Sequence, residues 1–409
     1  MVAITFDMSQ TVSARVESLY VHVPFCARKC AYCAFYSESS DGERINRYVG
    51  ALIRELEIVA PDLKPRTVFF GGGTPSLLNL RQWERILQAM DRLGLLGAEE
   101  WTVECNPATV SLSKATLLRD YGVNRISLGV QSLDGPLLER LGRIHTRDMV
   151  FKSFDIMRQA GFDNLNLDLM FAIPGQTMEA WRGTLAEALA MGPEHLSCYE
   201  VIYEEDTVLY AQLQAGEFDV NDELACDMYE ELLHRACTAG LCQYEVANFA
   251  RDNTLNSRLH VAPERSDGGS TLNFPSHACR HNLNYWRGGS FFGLGPSATS
   301  FVRGVRTKNW SNTDLYSEQL ESGRRAIESQ EMLPALARAG ETAAFGLRVV
   351  AGWPFEEFRQ TTGYDLRLGW AREMAHLQQC GWGRLVPGGF QLTGTGLRFA
   401  DAAAELFLR

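Results

Sequence analysis

The sequence predicts an α/β protein: a parallel sheet or barrel of six β/α units, then an α/β extension, then a small helical domain resembling a winged helix. Three observations predict it. Six short apolar segments each precede a helical pattern over the first ~200 residues. Polar and glycine-rich clusters stand at the C-terminal ends of those segments, where a β/α barrel builds its sites. From about Asp222 the alternation gives way to a different pattern.

The six strands are expected at Leu19–Phe25, Thr67–Phe70, Trp101–Cys105, Arg125–Val130, Leu165–Phe171 and Leu196–Tyr203. Their Val, Ile, Phe and Tyr content reads as continuously apolar, as for parallel strands buried on both faces. Ile45, Tyr48, Val49, Leu52, Ile53 and Leu56 recur at helical spacing and predict one apolar stripe over Ile45–Val59. A helix is expected over Glu223–Gly240 and a strand over Tyr244–Phe249. Residues 251–277 are polar and read as an exposed loop or insertion. The last ~80 residues read as helices followed by a hairpin, Gly383–Val386 and Phe390–Thr393, joined by Pro387-Gly388-Gly389. Domain boundaries are expected at 1–215, 216–325 and 326–409.

The 409 residues carry 45% hydrophobic and 22% charged side chains, ordinary for a globular protein, and a net charge of −11. That balance argues against a nucleic-acid partner, which calls for a basic footprint. Met1–Gln10 shows no basic stretch followed by an apolar core, so no secretory signal is expected, and no run of about 18 apolar residues predicts a membrane span. Ten cysteines show no paired rhythm, which suits thiols kept for metal binding or packing in a reducing cytoplasm.

Cys26, Cys30 and Cys33 form a C-x3-C-x2-C run at the end of the first strand, with no fourth cysteine nearby. Thiolates suit an iron–sulfur cluster, and three of them would leave one iron of a [4Fe–4S] cube open to a small molecule. A zinc site with His22 as the fourth ligand is the alternative. Gly71-Gly72-Gly73-Thr74 follows the second strand, where backbone without Cβ can approach a ligand and exposed N–H groups can bind a carboxylate. Glu104, Gln131, Arg143 and Asp168 would offer acceptors for hydroxyl and amino groups and donors for a carboxylate. Helix caps, ion pairs or surface charge are the plain readings of the same residues. His281, in His-Asn-x-x-Tyr-Trp286 beside Cys279, is either a satisfied packing residue or a heme-iron ligand.

These motifs, in Leu19–Cys33, Phe70–Ser76, Glu104–Pro107, Ile126–Ser132, Asp168–Thr177, Cys198–Thr207 and His281–Trp286, resemble the radical S-adenosylmethionine (SAM) enzymes, and among them the oxygen-independent coproporphyrinogen III oxidase group. Residues 251–277 have no counterpart in that pattern. The resemblance implies a partial (β/α)6 radical SAM barrel with Cys26, Cys30 and Cys33 on the cluster and SAM on the open iron. One electron from the cluster would cleave the sulfonium to a 5′-deoxyadenosyl radical. It further implies Tyr32 by the adenine, Gly72, Gly73 and Thr74 at the amino or carboxylate end, and SAM contacts from Glu104, Gln131, Arg143, Asp168 and Tyr20, with Ile202 and Thr299 as further carry-overs.

The oxidases of the group carry a cysteine two places after the third, where this chain has Phe35. Phe35 with His281–Trp286 resembles the heme-chaperone branch, which implies heme as a further cofactor, apo-heme-proteins as acceptors, and docking at a membrane surface as an open question. Oxidative decarboxylation of coproporphyrinogen III and methyl transfer by a protein of the same architecture are the alternatives.

Overall fold

A computed structural model describes residues 15–39, 41–253 and 274–409. The reading of Met1–Gln10 and most of the 251–277 insertion lie outside the described residues.

The central sheet has nine strands: β1 Val16–Val23, β2 Leu63–Gly72, β3 Glu100–Cys105, β4 Arg125–Gln131, β5 Leu165–Phe171, β6 His195–Glu200, β7 Leu241–Gln243, β8 Asn248–Arg251 and β9 Phe292–Leu294. Their spatial order is β9-β1-β2-β3-β4-β5-β6-β8-β7. β1 to β6 lie side by side in chain order and all pair in parallel, the arrangement of an open barrel arc. β9 extends the parallel edge at β1, and the short β7–β8 hairpin closes the other edge antiparallel. β1 ends before Pro24, which has no N–H to give to a ladder.

The strands are not apolar on both faces. Leu19, Val21, Val68, Phe70, Trp101, Val103, Ile126, Leu128, Leu167, Leu169 and Leu196 are fully buried in the main core. The alternate positions, on the other face by the two-residue period, read Ser18-Tyr20-His22, Glu100-Thr102-Glu104, Arg125-Ser127-Gly129, Asn166-Asp168 and His195-Ser197-Tyr199. One face packs on the helices and the other lines a polar barrel interior, so the expected double-sided apolar burial is corrected.

Helix Gly42–Val59 forms where the apolar stripe predicts it. Asp41 caps it by accepting from Arg44 N at 2.8 Å, a cap of about 1 kcal/mol, and Ile45, Tyr48, Val49, Leu52 and Leu56 are buried. The expected strand Tyr244–Phe249 is instead mostly the turn between β7 and β8. Tyr244 N donates to Asn248 O at 3.1 Å, and the Glu245 carboxylate accepts from Ala247 N and the Asn248 side-chain amide, local bonds that outcompete a ladder.

Beyond β9, Thr299–Val302, Val305–Asn309 and Ile327–Glu331 make a separate antiparallel sheet. The C-terminal domain packs helices and the hairpin Gly383–Val386/Gly389–Leu392 around Trp353, Phe358, Trp370, Leu377, Phe390 and Phe407. Among the described residues no helix is long and apolar enough to cross a membrane.

Candidate cofactor site

Cys26, Cys30 and Cys33 share the loop that leaves β1, and all three are partly exposed. Two short helices, Gly135–Arg140 after β4 and Val208–Gln214 after β6, hold the loop's middle. Ala31 N donates to Leu141 O and Leu209 N to Ala31 O, each at 2.9 Å. Ala31 and Tyr32 pack on a small apolar cluster that includes Leu141, Met170, Val201 and Leu209. Cys26 Sγ lies 3.5 Å from Thr74 Oγ1, and Arg143 Nη1 lies 3.5 Å from Cys30 Sγ. Burial raises the Cys33 thiol, the backbone at Phe35 opposes this, and nearby Cys30 and Cys26 raise it further, so the three sulfurs lie within electrostatic reach of one another. Three soft donors on one loop, one of them against a guanidinium, suit an iron–sulfur cluster.

His22 does not complete a zinc cage. Its Nε2 lies 2.9 Å from the Tyr36 carbonyl and its Nδ1 3.1 Å from the Tyr20 hydroxyl. A carbonyl only accepts, so Nε2 carries the proton, Nδ1 accepts from Tyr20, and no lone pair is left. Burial lowers the His22 pKa and keeps the ring neutral. His22 thus ties the far arm of the cysteine loop to β1. Among the described residues no three His, Cys, Asp or Glu side chains are grouped to hold a single ion.

The glycine loop is not an open nest of N–H groups. Gly72 N donates to Glu104 Oε2 at 3.2 Å, Gly73 N to Val23 O and Thr74 N to Phe25 O, both at 2.8 Å. Its glycines serve close packing. Gly72 has φ +103° and a Cβ there would sit 2.4 Å from His22 Nδ1, while one on Gly73 would sit 2.7 Å from Val23 O.

Inside the barrel, Glu104 stands half-buried near the end of β3 and Asp168 half-buried at the middle of β5. Desolvation, then repulsion from Asp168, pushes Glu104 up to about 8. Asp168 is raised by burial against hydrogen bonds from Ser127 Oγ at 3.0 Å and Asn166 Nδ2 at 2.7 Å. Burial raises the Tyr32 hydroxyl, Arg143 opposes this, and Cys30, Cys33 and Asp168 add to the rise, while its side chain packs on the cluster that includes Met170 of β5. Burial and Glu104 raise the Tyr20 hydroxyl. Gln131 ends β4 with φ +66°, after a register shift between Gly129 and Gln131. A left-handed non-glycine residue at a strand end marks a constrained site. The structure therefore gathers Tyr20, Tyr32, Gly72, Gly73, Thr74, Glu104, Gln131, Arg143 and Asp168 at one barrel mouth. Carboxylates, an amide, a guanidinium and aromatic rings suit a ligand carrying amino, hydroxyl and carboxylate groups on a flat base.

Three expected residues lie on other elements. Ile202 is 65% exposed on the loop after β6. Thr299 opens a strand of the separate three-stranded sheet. His281 is 1% exposed, on helix Arg280–Trp286 at the opposite end of the strands from the cysteine loop. Glu100, the first residue of β3, accepts from Arg280 N and His281 N, each at 2.9 Å, and so caps that helix from another segment. His281 Nδ1 lies 2.9 Å from Thr67 Oγ1 and Nε2 2.8 Å from the Tyr285 hydroxyl, with the ring stacked on Phe69. As placed, it is the floor of the barrel and offers no nitrogen to an iron. The sequence reading also missed Arg125, 2% exposed in the interior, and His145 beside Arg143. The alternation in Arg-Ile-Ser-Leu-Gly-Val-Gln of β4 was the signal for the first.

Residues 20–188 match the family model of the radical SAM superfamily, which fits the three-thiol loop at a parallel strand end. The chain is 33% identical over 344 residues to the heme chaperone HemW of Lactococcus lactis, covering 84% of each protein. It is 32% identical over 359 residues to HemW of Bacillus subtilis, covering 86% of this chain and 88% of that one. Against HemW of Escherichia coli the identity is 31% over 403 residues, 96% and 98% of the two chains. In fold it matches the coproporphyrinogen III oxidase HemN of Escherichia coli, a radical SAM enzyme, with a TM-score of 0.79 at 21% identity over 97% of this chain and 90% of that one. The chain is a radical SAM protein, and it belongs to the HemW family.

Proposed function

We propose that the protein holds a [4Fe–4S] cluster on Cys26, Cys30 and Cys33, binds SAM at the open iron, and binds heme for transfer to apo-heme-proteins in a reducing cytoplasm. The observation that carries this reading is the loop itself: three thiols, and Phe35, 68% exposed, where the oxidases place a further cysteine. Likeness over most of the chain to proteins named heme chaperone supports the heme part. When bound, the cluster supplies a single electron and an open coordination position. The chain's own residues do the rest. Arg143 neutralises charge at Cys30, Glu104 and Asp168 accept from ligand hydroxyl or amino groups, and Tyr20, Tyr32 and Gln131 orient the base and sugar. His281, with both ring nitrogens engaged, is read as a packing residue rather than the heme ligand.

Anaerobic reconstitution with hemin, SAM and coproporphyrinogen side by side tests the reading. About four iron and four sulfide per chain, a SAM-dependent change in the cluster's EPR spectrum and a Soret band with hemin are expected, with hemin passed on to an added apo-protein. Protoporphyrinogen formation would move the assignment to the oxidase, and stoichiometric zinc without iron would remove the cluster.

A further inference from the structure

Residues 141–145 run from the cysteine loop to the end of β4. Leu141 O accepts from Ala31 N at 2.9 Å, and Arg143 Nη1 lies 3.5 Å from Cys30 Sγ. Arg143 Nη2 then donates to the Gly129 carbonyl, and His145 Nε2 lies 3.0 Å from the Val130 carbonyl. Two consecutive carbonyls of β4 are clipped by side chains two residues apart. The next residue is Gln131, held at φ +66°. Its Nε2 and Arg143 Nη2 both lie 3.2 Å from the point where a Cβ on Gly129 would stand, so the amide and the guanidinium are presented side by side.

A carbonyl only accepts, so His145 carries its proton on Nε2. Burial, then Arg143, lowers its pKa to about 4 and keeps the ring neutral. The ring is 3% exposed, and among the described residues its Nδ1 and Arg143 Nε have no hydrogen-bond partner. A left-handed glutamine costs on the order of 1–3 kcal/mol and persists where its surroundings over-determine it. The backbone closes the turn itself, Ser132 N donating to Val130 O at 2.8 Å, and His145 is the side chain that bonds the same carbonyl, from the peptide that leads into Gln131.

We propose that His145 is a positioning residue for SAM, fixing the end of β4 so that Gln131 and Arg143 meet the ligand together. The inference rests on the reading that SAM binds at this mouth. It assigns His145 no contact with the ligand.

Two variants separate positioning from packing. His145→Gln keeps an N–H donor at the reach of Nε2. His145→Leu keeps bulk and burial and removes the donor. SAM affinity is measured anaerobically on the iron-loaded chain, alongside the EPR spectrum of the reduced cluster with and without SAM. His145→Leu is expected to bind SAM about tenfold more weakly with an altered SAM-induced spectrum and full iron content, and His145→Gln to recover both. His145→Leu combined with Gln131→Ala is expected to lose less than the sum of the two single losses, because part of the histidine's effect runs through Gln131. Wild-type affinity and spectrum in His145→Leu, or fully additive losses, would overturn the proposal. If the leucine variant fails to fold, His145→Asn, too short to reach Val130 O, takes its place with the same two outcomes. A wild-type protein whose cluster spectrum ignores SAM would sink the SAM reading itself.

Discussion

Thr67 Oγ1 lies 2.9 Å from His281 Nδ1, and with the Tyr285 hydroxyl at 2.8 Å from Nε2 both ring nitrogens are engaged inside the barrel floor. Burial, then the Arg125 charge, lowers the His281 pKa to about 3, so the folded protein holds the ring neutral. His281→Ala leaves a cavity and strips the Tyr285 hydroxyl of its partner, while Thr67 keeps its bond to Ser18, and should cost about 2–4 kcal/mol of stability. In the fraction that stays folded, the Soret maximum of added hemin should match wild type. A shifted Soret band with unchanged melting would return His281 to the heme.

The same ring gives an acid limb to stability. Between about 6.5 and about 3 the unfolded chain binds a proton that the folded chain refuses, so stability falls as pH drops through that window. His22 and His195, also lowered by burial, act in the same direction. His281→Gln should flatten this limb in part, which urea titrations at pH 7 and pH 5 would show.

Much of this was legible in the sequence because it depends on spacing. The cysteine run, the helix stripe from Ile45 and strand Leu165–Phe171 follow local periodicity, and the structure has them in place. What failed to show depends on which face a residue takes and which distant group meets it. Glu104 and Arg125 look alike as strand-end charges, yet one faces the mouth and the other the floor, as their positions along adjacent strands decide. His281 beside Cys279 looks like a ligand until Glu100, about 180 residues earlier, caps its helix into the barrel. His145 carries no signal of its own, because its role lies in a carbonyl that the sequence does not record.

Gly72→Ala should strike the site through His22. The new Cβ would sit 2.4 Å from His22 Nδ1 at a backbone φ of +103°, so steric clash and backbone strain add. Displacing His22 breaks the Tyr20–His22–Tyr36 chain that fixes the cysteine loop. Less than half the wild-type iron after reconstitution is expected; full iron retention would show that the loop holds without His22.

Glu104 makes the opposite pH prediction. Its folded pKa, pushed up to about 8, lies above its unfolded value near 4.5, so between those values the folded state binds more protons and stability falls as pH rises. Glu104→Gln removes that term. Without added cofactors the variant should melt higher than wild type at pH 8 and alike at pH 5, while binding SAM more weakly. A lower melting point at pH 8 would mean the carboxylate is held by partners stronger than Gly72 N.

Arg143 separates charge from geometry. Its guanidinium reaches Cys30 Sγ with one nitrogen and the Gly129 carbonyl with another, a span that a lysine ammonium cannot reproduce. A positive charge against a ligating sulfur favours the reduced, more negative cluster. Arg143→Gln should therefore lower the cluster's midpoint potential, and Arg143→Lys should keep the potential closer to wild type while losing the clip on β4. SAM affinity should fall in both variants, because both free the strand end. Equal potentials in Arg143→Gln and wild type, measured by anaerobic EPR titration, would place the guanidinium out of electrostatic reach of the iron and leave it a purely structural clip.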